Sequence, residues 1–377
     1  MQNKLKKILY IMRDMIKYYY YFCYCKIRKI KNDDIWLISE RGTDARDNSY
    51  HFYQYMKIHH PHTKIKYVID YQSADYHKLN QSDCIQYGSR EHYILFITAG
   101  KLISTHIMGY SPNMSLFWRM DYRNLLKIKG KKIFLQHGIT QNYIKLMTKE
   151  ISKLDLFICG AYPEYEFILK HFGYDEKVIK YTGFARYDNL KSKEKNQILI
   201  MPTFRKWLNY TDHFKETEYF KKWNELLNDS TLIEYIEKNN VQVIFYPHYE
   251  IQKYLSYFHT KSKNITLASF NQYDVQALLI ESKLLITDYS SVFFDFAYMR
   301  KPVIYYQFDI EEFRQNHYQE GYFDFLKMGF GPVCQEKEEL VKKIQSKNMD
   351  YTKKISQFFQ YHDFDNCERI YQEITKL

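Results

Sequence analysis

LLITDYSSVFFDFAYMRKPVIYYQ, residues 284–307, is the stretch that decides the fold. It opens with a short apolar run, Leu284 to Ile286, followed by a polar turn from Thr287 to Ser291. Val292 to Met299 spaces its apolar residues as a helix does, Arg300-Lys301-Pro302 ends it, and Val303 to Tyr306 reads as a second buried strand. The result is a strand–turn–helix–strand unit with two hydroxyls and an acidic side chain where the strand feeds the helix. Free N–H groups and the helix dipole at such a point favour a bound phosphate. The stretch predicts half of a phosphate-handling site, with the other half supplied elsewhere in the chain.

The same grammar recurs on both sides of a polar, Lys-rich linker, Lys191 to Asn196. After it, Ile198–Met201 runs into Pro202-Thr203-Phe204-Arg205, and Val241–Phe245 into Tyr246-Pro247-His248. Before it, Ile35–Ile38 leads to the turn Ser39-Glu40-Arg41-Gly42, and Asp47-Asn48-Ser49 reads as the cap of a helix from Tyr50 to Ile58. Ile65–Ile69, Leu102–Ser104 and Ile133–Leu135 follow, the last ending in Gln136-His137-Gly138. Strands separated by helical segments predict βαβ units and mostly parallel sheets. The expected fold class is α/β, with two parallel-sheet domains (34–190 and 191–377) facing a central cleft, preceded by a separate segment, 1–33. A chain of 377 residues is long enough for two cores.

That first segment reads as a basic amphipathic helix. Leu5, Ile8, Leu9, Met12, Met15, Ile16 and Tyr19 recur at helical spacing. Nine Lys or Arg residues against Asp14 alone fall within residues 1–32, which hold most of the net charge of +11. The basic signal is therefore local. It suits contact with an anionic membrane surface, or a helix packed on the body with a solvated basic face, better than nucleic-acid binding, which is not expected. No apolar run is long enough to span a bilayer. The six cysteines have no spacing for zinc and read as free thiols in a reducing cytoplasm.

Polar groups at strand ends converge on one chemistry. His137 sits at a strand's C-terminal end, where open α/β sheets bind ligands, with Gly138 allowing a sharp turn. Arg205, His248, Ser290 and Ser291 hold like positions in the second half. Each also has a structural reading: His137 as a satisfied histidine, Arg205 as an ion-pair partner, Ser290 as a helix cap, Asp295 as an acid favouring the dipole. Asp363-Phe364-Asp365 has the spacing of a metal-binding D-x-D but reads as a helix cap. No metal and no cofactor are expected.

Spacing and order together resemble the CDP-glycerol glycerophosphotransferase family of teichoic acid primases and polymerases. The resembling segments are QHGI (136–139), TGFARYDNL (182–190), PTFR (202–205), YPH (246–248), ITDYSSVFFDFAYMRKPVIYYQFD (286–309) and GYFDF…GFGPV (321–333). Phe204 and Ala185 stand where the family pattern has Trp and Pro. The resemblance implies a GT-B-like fold of two Rossmann-like domains, and His137 and His248 as the catalytic pair. It places Gly138, Arg205, Ser290, Ser291 and Asp295 around a CDP-alditol donor. The implied reaction transfers glycerol phosphate from CDP-glycerol to a hydroxyl of a lipid-linked or polysaccharide acceptor, releasing CMP. The enzyme would be peripheral, on the cytoplasmic face of the cell membrane, and serve teichoic acid or capsule-type polymer synthesis. CDP-ribitol transfer, GT-B nucleotide-sugar transfer and a non-catalytic scaffold are the competing readings.

Overall fold

The computed structural model describes residues 2–208, 213–270, 272–316, 321–346 and 350–377. Contacts divide the chain into two units: 1–139, 144–189 and 363–377 form the first, 140–143 and 190–362 the second.

The first unit is built on seven strands: β1 (Asn32–Ser39), β2 (Lys64–Ile69), β3 (Cys84–Gln86), β4 (Ala99–Ser104), β5 (Lys131–Phe134), β6 (Leu156–Cys159) and β7 (Ile179–Tyr181). All pair in parallel, in the order β3-β2-β1-β4-β5-β6-β7. The second unit has a six-stranded parallel sheet, β10-β9-β8-β11-β12-β13. Its strands are β8 (Gln197–Ile200), β9 (Gln242–Phe245), β10 (Ile265–Leu267), β11 (Leu284–Thr287), β12 (Val303–Tyr306) and β13 (Val333–Cys334). All four residues are buried in each of β6, β8, β11 and β12. Helices on both faces remove the polar alternation of a half-exposed strand, so such strands read as continuous apolar runs. The α/β class and the two parallel sheets are as expected. In each sheet the strand order reverses once, between β1 and β4 and between β8 and β11, and such switch points are where open α/β sheets bind ligands.

Two segments depart from the expected division. Helix α1 (Gln2–Ile27) is not a separate segment but packs within the first unit against α3 (Arg90–Thr98). Tyr18 is buried against Phe117 and its hydroxyl donates to Lys127 O at 2.9 Å, while buried Asp14 accepts from Asn113 Nδ2 at 2.9 Å. Leu9, Met12, Ile16 and Tyr20 face outward, each more than half exposed. The helix thus has one aromatic face on the body and a second apolar face in solvent. The side chains of Leu5 and Ile8 lie outside the described residues.

The last helix, Asn366–Thr375, belongs to the first unit rather than to the second. It buries Cys367, Ile370 and Ile374 there. Its first turn is capped from across the chain, with Asp188 accepting from Asn366 N at 2.9 Å and from Cys367 N at 2.8 Å. The Asp365 side chain makes no cap bond, and Asp363 instead pairs with Arg369 at 2.8 Å. All six cysteines are free.

Candidate active site

At the first sheet's C-terminal edge the chain leaves β5 through Gln136, the left-handed residue of the turn at φ 57°. A non-glycine residue in this region is strained by about 1–3 kcal/mol unless its surroundings hold it there. Here the buried Gln136 side chain does so, donating to Ile158 O at 2.7 Å and to Glu164 Oε1 at 3.1 Å. The next residue, His137, is turned outward with its side chain 70% exposed.

His137 Nδ1 lies 2.5 Å from Asp47 Oδ2. The other Asp47 oxygen accepts from Asn48 N at 2.7 Å and from Arg186 Nη1 at 3.0 Å, and Nη1 also donates to His137 O at 3.0 Å. Asn48 ties the same parts together, donating to Gln136 O at 2.8 Å and accepting from Arg186 N at 3.1 Å. With Nδ1 committed to a carboxylate, Nε2 is the nitrogen left to exchange a proton. The Asp47 charge and hydrogen bond raise His137 above the ordinary imidazole value, against partial desolvation and the charges of Arg186 and Arg41. Burial alone would raise Asp47, but the charges of His137 and Arg186 outweigh it and hold its carboxyl well below the usual range. Beneath them the buried Glu40 carboxyl, pushed up to about 8 by burial and the Asp47 charge, accepts from Asp47 N at 2.7 Å and Arg46 N at 3.0 Å, fixing the loop that carries Asp47.

The second sheet gathers three loops at its own switch point. Thr203 N, from the β8 loop, donates to Asp288 Oδ1 at 2.9 Å in the turn after β11. His248 N, from the β9 loop, donates to Pro202 O at 3.0 Å, and the His248 ring stacks on Phe204 with centroids 4.6 Å apart. His248 is half-buried and its Nδ1 accepts from Glu250 N at 3.3 Å, which leaves the proton on Nε2 when the ring is neutral.

Arg205 does not occupy the place expected of a donor ligand. It is fully buried, with Nε and Nη2 on Asp309 at 2.7 and 3.0 Å and Nη1 on Asp288 at 2.9 Å and Thr203 O at 3.1 Å. Tyr219, Tyr289 and Phe313 place their ring centroids 5.0–5.1 Å from its Cζ. Burial works against its charge, and the charges of Asp288 and Asp309 outweigh that and raise its pKa. It is a clamp joining the loops after β8, β11 and β12. Ser290 and Ser291 are half-buried just before the helix Val292–Tyr298, and Ser291, at the N-cap position, makes no side-chain cap bond. Asp295 is buried one turn into that helix.

Of the expected residues, His137 and Gly138 lie in the first unit, and Arg205, His248, Ser290, Ser291 and Asp295 in the second. The sequence gives Asp47 a capping role only, and Arg186 none. Asp47 does cap a helix, α2 (Asn48–His59), and that reading hid its second carboxylate oxygen. Arg186 lay inside the recognised segment 182–190 without an assigned role. No cluster of three or more His, Cys, Asp or Glu side chains placed for a metal occurs among the described residues.

The chain is 37% identical over 365 residues to the minor teichoic acid biosynthesis protein GgaB of Bacillus subtilis (strain 168), covering 91% of this chain and 40% of that protein. It is 23% identical over 381 residues to a teichoic acid poly(glycerol phosphate) polymerase of the same strain, covering 94% of this chain and 50% of that one. The chain thus spans half or less of these relatives' length. Among solved structures, the wall teichoic acid polymerase TagF (H548A) superposes with a TM-score of 0.73 at 19% identity, covering 99% of this chain and 98% of that one. A putative UDP-N-acetylglucosamine 2-epimerase from Listeria monocytogenes superposes at 0.57 with 14% identity, covering 92% and 96%. These likenesses bear on the fold. The family described as CDP-Glycerol:Poly(glycerophosphate) glycerophosphotransferase matches residues 19–376, and the chain belongs to it.

Proposed function

We propose that this chain transfers glycerol phosphate from CDP-glycerol to a hydroxyl of a lipid-linked or polysaccharide acceptor, in teichoic acid or capsule-type polymer synthesis. The carrying observation is the Asp47–His137 pair, joining the loops after β1 and β5, in a chain of this family. The acceptor oxygen attacks the glycerol-bearing phosphorus. As the new O–P bond forms, the bond from phosphorus to the CMP oxygen breaks, and the acceptor proton passes to His137 Nε2. Charge grows on the departing phosphate, where the His248 Nε2–H and the N–H groups at Ser290 and Ser291 stabilise it. Asp295 accepts from a glycerol hydroxyl, and Gly138 lets the backbone beside His137 approach the donor. Arg205 acts at a distance by holding the β8 and β11 loops together.

A second reading, CDP-ribitol as donor, is favoured by 28% identity over 230 residues to the teichoic acid ribitol-phosphate polymerase TarL of Staphylococcus aureus (strain NCTC 8325 / PS 47). Side-by-side assays with CDP-glycerol, CDP-ribitol and UDP-sugars test both. Turnover of UDP-sugars alone would refute them together. The chemistry is metal-free in this scheme, so activity should persist in EDTA. Loss in EDTA with rescue by Mg²⁺ would contradict it.

The enzyme works on the cytoplasmic face of the cell membrane as a peripheral protein. Support comes from the outward apolar face of α1 beside its Lys and Arg residues, and no described helix is long and apolar enough to cross a membrane.

A further inference from the structure

Three neighbouring strands of the first sheet lead into loops that carry an arginine and two histidines. β1 and β4 pair at Ser39 and Ser104, β4 and β5 at Ser104 and Phe134, and the loops beyond them carry Arg41, His106 and His137. The rings of His106 and His137 are 5.3 Å apart between centroids, tilted by 32°. His106 Nδ1 lies 3.0 Å from Thr105 Oγ1. The His106 loop is held firmly. Ser104 Oγ accepts from His106 N at 3.1 Å and donates to Glu40 O at 3.0 Å, and any Cβ on Gly109 would come within 1.9 Å of that same Glu40 oxygen.

We infer that His106 is a specificity-determining contact for the acceptor, binding a hydroxyl of its polyol end and orienting the attacking hydroxyl toward His137. The inference rests on the reading of His137 as the base. His106 is a poor base itself. Burial, then the charges of His137 and Arg41, push it down to about 3 despite the opposing charge of Asp47, so it stays neutral beside a histidine that charges. With Nδ1 facing Thr105, Nε2 is the nitrogen left for a ligand. Thr105 can donate to Nδ1 or accept from it, so Nε2 can present a proton or a lone pair. A hydroxyl satisfies either state, whereas a phosphate oxygen satisfies only one. Nε2 of His106 therefore fits a polyol hydroxyl better than a bare phosphate.

The test uses the full chain with CDP-glycerol as donor and an oligo(glycerol phosphate) as acceptor, comparing His106→Phe, His106→Asn and His137→Asn. Phe should raise the acceptor KM about three- to tenfold, the loss of one neutral hydrogen bond. Asn, which can still donate and accept, should recover most of that. The donor KM and the acceptor-free hydrolysis of CDP-glycerol should not move in either. An unchanged acceptor KM in His106→Phe, or hydrolysis falling in step with transfer, overturns the inference. His137→Asn judges the underlying reading separately. If it keeps full transfer activity, the base assignment fails and the His106 role falls with it. If it abolishes transfer while His106→Phe is silent, only the His106 role fails.

Discussion

His137 owes its chemistry to one neighbour. Asp47 fixes the ring through Nδ1 and raises its pKa, so the base form appears only as the pH climbs past the ordinary histidine range of about 6.5. The acidic limb of kcat/KM should therefore lie above that range and move to lower pH in Asp47→Asn, with kcat reduced because the ring loses its orientation. A pH–rate profile of the two proteins checks both. Stability responds to pH in the opposite direction. A raised histidine contributes stability that is full below the unfolded value and lost as the pH rises through the folded one. Because the ring is largely exposed, this contribution is small. His137 was legible because a histidine past an apolar strand stands out. Asp47, ninety residues away in the chain, was not: nothing local distinguishes a cap that also holds a histidine from an ordinary cap. His106 gave the same strand-end signal as His137, two residues after the run Leu102-Ile103-Ser104, but without a recognisable segment around it.

The loops are where local reading and folded structure part most clearly. An arginine at a strand end beside a phosphate-type turn looks like an anion ligand. Only the long-range pairing of β8 with β11 and β11 with β12 brings Asp288 and Asp309 onto it. Arg205→Met would leave two buried carboxylates unpaired. It should cost about 3–5 kcal/mol in denaturant unfolding, with the loss of activity following the loss of fold. A change confined to donor KM at unaltered stability would instead restore Arg205 to the donor site. Segment 182–190 is built in a similar way. Gly183 has φ 78°, and a Cβ there would meet Asn366 Oδ1 at 1.9 Å. Gly183→Ala should therefore lower Tm, since backbone strain and displacement of the last helix act together.

Across the molecule, the continuous apolar strands announced two parallel sheets, and the all-buried strands bear that out. Where the ends of the chain dock was not announced. The last helix joins the first unit through contacts such as Asp188 to Asn366, 178 residues apart, which no local pattern encodes. The periodicity of α1 marked its apolar stripe but not which face the body takes, because tyrosines supply a second, packed face at Tyr18 and Tyr21. Deleting α1 would uncover Tyr93 and Phe117, so the membrane role is better probed by point changes. Leu9→Ser with Ile16→Ser should weaken co-sedimentation with anionic phospholipid vesicles and leave Tm unchanged. Undiminished binding would remove α1 as the membrane contact.

The most direct measurement is CMP release from CDP-glycerol by the full chain in the presence of an oligo(glycerol phosphate) acceptor, set beside the same assay of His137→Asn. Acceptor-dependent CMP release is expected from the native chain, falling by about 10²- to 10⁴-fold in the variant, the range that general acid–base catalysis contributes. A variant as active as the native chain, or a native chain that turns over UDP-sugars and leaves CDP-glycerol untouched, would contradict it.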